Sequence, residues 1–176
     1  MNIRDWLVEL QHLLNELKNL DFGHALDENW IKPPASDNSA EIESAVATIA
    51  NNKQLEAFYR ECDGISMPDV WNGYFIHELG HLKNREAKGE PTSIEGKLQG
   101  EIAVFGTNGG GGMFAIRLAE SDILYLPNGE IRNGVYLDTA NSATRLANDF
   151  EGFLARLLAD VDAFVHDTPD HVFMAS

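Results

Sequence analysis

Leucine and tryptophan recur through the first twenty residues at the i, i+3, i+4 spacing of an amphipathic helix: Trp6, Leu7, Leu10, Leu13, Leu14, Leu17 and Leu20. The segment DFGHALDENWIKPPASDNS lacks any such period, and Pro33 and Pro34 break it, so it reads as a loop. Asn38 followed by Glu41 has the form of a helix start, and Ile42, Val46 and Ile49 continue one face. A third, short helix carries Leu55, Phe58, Tyr59 and Cys62 and stops at Asp63-Gly64. Near the end of the chain Leu146, Phe150, Phe153, Leu154, Leu157, Leu158, Val161 and Phe164 form a long apolar stripe. It predicts a helix beginning at Asn141 or Ser142.

Between the third and last helices the period shortens. GEIAVFG, GMFAIRL, DILYLP and GVYLD are short, rich in β-branched and aromatic residues, and bounded by turn formers. Connections such as TNGGG and NGEIRNG suit hairpins. The expected architecture is α+β: N-terminal helices, a central mainly antiparallel sheet, and a long C-terminal helix packed on it. The expected organisation is one domain over 1–165, with 166–176 as a loosely ordered tail.

Composition adds less. The chain has 176 residues, 44% of them hydrophobic and 23% charged, as in ordinary globular proteins. No apolar run is long enough to span a bilayer, and MNIRDWLVEL carries charges where a signal peptide needs an apolar stretch, which predicts a cytoplasmic protein. Cys62 is the sole cysteine and reads as a small buried residue. Thirteen Lys and Arg against 28 Asp and Glu leave a net charge of −15, which repels nucleic acid and anionic membranes; it either speeds encounter with a basic partner or serves only solubility, and alone does not decide between them.

Two segments raise the question of chemistry. Gly109–Gly112 is followed by Met113-Phe114 rather than Lys-Ser or Lys-Thr, and no helix opens after it. It is expected to be a hairpin turn needing positive φ, not a phosphate cradle. The second segment, YFIHELGHL, contains His77-Glu78-Leu79-Gly80-His81, a full match to the H-E-x-x-H signature of zinc proteases. On a helix the two histidines would lie roughly 6 Å apart and share a zinc ion, with Glu78 as general base. On a strand they would lie roughly 13 Å apart and could not. Asn72-Gly73 before the motif, Gly80 within it and the helix-breaking KNREAKGEP after it favour the strand. A third ligand, if the motif did bind zinc, would come from a later glutamate such as Glu95 or Glu101.

A broader resemblance rests on Trp30, Pro33-Pro34, Ser36 and Glu41-Ile42, then Leu55, Tyr59 and Asp63-Gly64-Ile65. It continues through Phe105-Gly106-Thr107-Asn108 with the glycine run, Met113–Ile116, Ile123–Leu126, Leu146-Ala147 and Phe150–Leu154. In that order the chain resembles the SUKH superfamily, which includes a yeast glucan-synthesis regulator and many bacterial toxin-immunity proteins. The similarity spans Trp30 to Leu158. It implies an α+β domain without catalytic residues or cofactor that binds other proteins, first of all an immunity protein neutralising a nuclease or deaminase toxin. It also implies that WNGYFIHELGHL supplies the first strands. Trp71, Asn72 and Tyr74, beside a turn, are the candidate contact residues. The acidic residues of the last helix (Asp149, Glu151, Asp160, Asp162) read as a solvated outer face. The alternatives are a small zinc hydrolase using His77, Glu78 and His81, and a regulatory scaffold for an endogenous partner.

Overall fold

The computed structural model describes residues 1–23, 25–36, 39–47, 49–50 and 52–174. Asn38, read as a helix start, and the last two residues of the expected tail lie outside the described residues. The protein is α+β, with five helices and ten strands among the described residues.

Helix α1 (Ile3–Leu17) buries Trp6, Leu10, Leu13, Leu14 and Leu17 of the stripe read from the sequence, with Leu7 partly buried and Leu20 exposed beyond its end. Asn2 caps it by accepting from the Arg4 amide. Helices α2 (Ser39–Ala47) and α3 (Lys53–Glu61) follow, α3 capped by Asn52. The chain then turns at Gly64 and enters the sheet. Strands β1 (Trp30–Ile31), β2 (Ile65–Met67) and β3 (Tyr74–Ile76) pair antiparallel in that order. A short helix α4 (Leu79–Lys83) leads to β4 (Ser93–Glu95) and then to the longest strand, β5 (Gly100–Asn108). Strands β6 (Met113–Arg117), β7 (Ile123–Leu126), β8 (Glu130–Arg132), β9 (Val135–Leu137) and β10 (Thr144–Ala147) complete the sheet before helix α5 (Phe150–Val165).

Strand β5 is the spine. One edge pairs with β6 from Ile102 to Thr107. The other edge is shared: β3 holds Gly106–Asn108, and β4 holds Gly100 and Glu101. Side chains of β5 alternate between two cores. Ala103 and Phe105 join the helices, packing with Phe150 and Phe153 of α5. Ile102 and Val104 face a second cluster with Ile94, Leu124, Leu126 and Tyr136. That cluster is closed by β4 and β9, which form the one parallel pairing of the described sheet. Burial on both faces explains why GEIAVFG reads as a continuous apolar run.

Two expectations need correction. The last helix starts at Phe150, not near Ser142, because Thr144–Ala147 pairs with β7 and Asp149 provides the cap, accepting from the Gly152 amide. Leu146 therefore belongs to a strand. The tail is not loose over its described part: Phe173 stacks on Trp71 at 4.1 Å, and the Met174 amide donates to Asp160 Oδ2 at 2.9 Å. The glycine run is the β5–β6 turn, as expected, and Gly111 takes a positive φ of 84°. No helix of the described residues is long and apolar enough to cross a membrane.

Candidate functional site

The H-E-x-x-H segment is neither all helix nor all strand. Tyr74–Ile76 pairs with Gly106–Asn108, and the His77 amide extends this ladder by donating to Phe105 O at 2.8 Å. Glu78 then stands at the N-cap of α4, so Leu79 opens the helix and His81 lies within it. Asp63 receives the buried Leu79 amide at 2.8 Å, which satisfies a donor that the helix itself leaves orphaned. Leu79 and Leu82 anchor the short helix to the core.

The turn at Glu78 folds His81 back on His77. Their ring centroids lie 3.9 Å apart, which overturns the expectation that strand geometry separates them by a dozen ångströms. The sequence argument assumed one conformation for all five residues, whereas the strand ends and the helix begins between the two histidines.

The third member is Glu90, which sequence reasoning missed. The chain leaves the β5 edge at His77 and rejoins it when Thr92 O accepts from the Ile102 amide. These anchor points on β5, Phe105 and Ile102, are three residues apart, so the intervening loop must close on itself. Glu90, just before the return, therefore meets the histidines: Oε1 is 2.7 Å from His81 Nε2 and 3.4 Å from His77 Nδ1. The carboxylates expected as alternative ligands, Glu95 and Glu101, lie exposed on β4 and β5, outside this cluster. Spacing alone could not single out Glu90, since pairing on β5 is what brings it home.

The site is anchored through its backbone on one side and opens to a cleft on the other. The His77 carbonyl accepts from the Tyr59 hydroxyl at 2.7 Å, so both its backbone groups are held. Only 10% of the His77 side chain is exposed, against 30% for His81. Burial first, and then the neighbouring His81 and Lys88, depress the His77 pKa to about 4. At neutral pH its imidazole is uncharged and carries a free lone pair. Burial raises the Glu90 pKa, opposed by His81, Arg85 and Lys88. A cleft of about 500 Å³ opens beside the cluster, lined by Trp30, Ser66, Phe75, Glu78 and Lys88 among others.

Glu78 takes no part in the cluster of metal-capable groups. Its carboxylate pairs with Lys32 Nζ at 2.7 Å, and Lys32 also lies 3.2 Å from Asp63.

The residues expected to make protein contacts separate. Tyr74 is buried, and its hydroxyl donates to Asp160 Oδ2 at 2.6 Å, so it is a core residue and the contact reading is corrected. Asp160, read as part of a solvated face, is buried beneath it. Asn72 is exposed and uses its backbone carbonyl to receive the Gly109 amide. Trp71 is 42% exposed and takes a positive φ of 53°, uncommon for a bulky side chain. It stacks on Phe173 and lines a groove of about 420 Å³ with Phe22 and Phe164.

No protein-family model matches the chain, and no curated protein sequence does. The functional reading therefore rests on the site itself and on the sequence pattern.

Proposed function

We propose that this chain is a non-catalytic, cytoplasmic protein-binding domain of the SUKH type, an immunity protein that neutralises a basic toxin domain of nuclease or deaminase class by direct binding. The observation that carries this reading is the Trp71 groove. An exposed indole is held in a strained backbone conformation and backed by Phe173, while Asp21 and Asp167 border the same groove. Asp27 and Asp69 line an adjoining depression that shares Phe22, Trp71 and Phe164. A rigid aromatic anchor ringed by acids suits a partner that offers an apolar pocket within a basic surface. A net charge of −15 adds long-range attraction to such a partner.

The zinc-hydrolase reading needs Glu78 as general base. Its ion pair with Lys32 weighs against that role, because a base must be within reach of the water it activates.

Co-expression in a bacterial host with the toxin encoded beside its gene tests the proposal. Wild type is expected to restore growth and Glu78→Gln to do the same, while Trp71→Ala loses most of the protection. Growth arrest with soluble wild-type protein present would overturn the immunity reading. Protection that needs Glu78 would shift the reading to catalysis.

A further inference from the structure

We infer that His77, His81 and Glu90 form a transition-metal site for zinc, acting as a clasp on the loop between β3 and β4 rather than as a hydrolytic centre. His77 and His81 each offer a ring nitrogen and Glu90 a carboxylate oxygen, and these three atoms all lie within 4.8 Å of one another. Two neutral imidazoles and one carboxylate are a set zinc accepts, with a fourth position left for water. Ligands bonded at about 2.0 Å in a tetrahedron are about 3.3 Å apart, so the cluster needs side-chain adjustments on the order of 1 Å.

A second observation points to a ligand independently of the cluster. His77 Nδ1 and Glu90 Oε2 are both buried without a hydrogen-bond partner. The Nδ1 atom is 3.4 Å from Glu90 Oε1 but lacks hydrogen-bond geometry with it. Buried polar atoms are nearly always paired, so two orphans on residues of one cluster point to a ligand there. A cation would take the His77 lone pair and the unused carboxylate oxygen together, in place of the present contact between His81 Nε2 and Glu90 Oε1.

Outer contacts favour a fixed site. The His77 backbone is held from both sides by Phe105 and Tyr59, and Asp63 holds the start of the helix that carries His81. The neighbouring cations Arg85 and Lys88 lower the attraction for a metal. They argue for a site that depends on its three ligands rather than on general negative charge. The cleft at the cluster offers an entry path. Glu78 turns away to Lys32, so the bound ion would lack the base a zinc protease uses.

This inference stands apart from the immunity reading and is tested without a toxin. Protein stripped with chelator is titrated with Co²⁺, whose visible d–d bands report coordination, and the cobalt is then displaced with Zn²⁺. One Co²⁺ per chain is expected, with intense bands characteristic of four-coordination, and zinc should raise the melting temperature. His77→Ala and Glu90→Gln should each weaken binding at least ~100-fold, while Glu78→Gln stays within ~3-fold of wild type. Urea unfolding of each apo variant verifies that it is folded. No saturable Co²⁺ or Zn²⁺ binding below ~1 mM by folded wild type would overturn the proposal. So would a Glu78→Gln loss as large as that of Glu90→Gln, because it would place the ion elsewhere.

Discussion

The Tyr74 hydroxyl donates to Asp160 Oδ2 at 2.6 Å, joining the sheet to the C-terminal helix deep inside the protein. Asp160 is nearly inaccessible, and it also meets His171 Nε2 at 2.8 Å and the Met174 amide at 2.9 Å. One buried carboxylate thus organises a tyrosine, a histidine and the backbone at Met174. Burial, followed by the hydrogen bond to Asp160 and its charge, raises the Tyr74 pKa well above the usual range. Tyr74→Phe should cost about 1–3 kcal/mol in urea unfolding, as loss of one bond to a buried charge does. Asp160→Ala should cost more and expose the terminal segment, read as faster proteolysis after residue 165.

Glycine substitutions before the histidine pair and within it separate strain from propensity. Gly64 has φ +98°, and a Cβ there would come within 2.8 Å of Ile76 O and 3.1 Å of the Glu78 amide. Gly64→Ala should destabilise by about 1–3 kcal/mol and displace the start of α4. Gly80 has open space around it and lies inside α4. Gly80→Ala should instead stabilise by about 0.5–1 kcal/mol, since glycine in a helix loses more freedom on folding. Thermal melts of the two variants give the opposite signs directly.

Cys62 supplies a pH prediction. It is fully buried, its thiol faces the Gly64 carbonyl at 3.2 Å, and burial pushes its pKa up to about 12 from an ordinary 9. Below pH 9 both folded and unfolded chains keep the proton, so this contribution is fully present. Between pH 9 and about 12 the unfolded chain releases the proton while the folded one retains it, and stability falls. The loss attributable to the thiol should be about 2 kcal/mol by pH ~10.5. Tyr59, raised by burial, adds a loss in the same direction. Cys62→Ala should flatten the pH dependence of the urea midpoint in this range. In the folded wild type, a thiol reagent at pH 8 should label nothing until denaturant is added.

For the proposed complex, charge and anchor should act on different rates. Raising salt from ~50 to ~500 mM should slow association several-fold, because it screens the attraction between an acidic protein and a basic partner. Trp71→Ala should leave association nearly unchanged and speed dissociation at least ~10-fold, the behaviour of an interface anchor. Surface plasmon resonance with immobilised toxin domain resolves the two effects.

Much of the fold was legible because it is locally encoded. The α1 stripe needs no partner to be recognised, and the two-faced apolar run of β5 with its glycine turn announces a hairpin. The misplaced start of α5 shows the limit of periodicity. Leu146 falls in register with the later stripe, yet pairing of Thr144–Ala147 with β7 claims it for the sheet. Asp149, a good capping residue, was the overlooked local signal. The short strands β1, β2, β4 and β8 carry too few residues for a period to emerge, and only their partners define them.

By itself, the sequence determined an α+β chain with a long closing helix, an acidic surface and two histidines flanking a glutamate. Only the tertiary structure decided what those histidines can do. A change from strand to helix at Glu78 brings the rings together, and the two anchors on one edge of β5 return Glu90 to them. The same structure withdrew Tyr74 and Asp160 from the surface and left Trp71 on it. Periodicity reports which face of an element is apolar, whereas long-range backbone pairing sets which distant side chains meet.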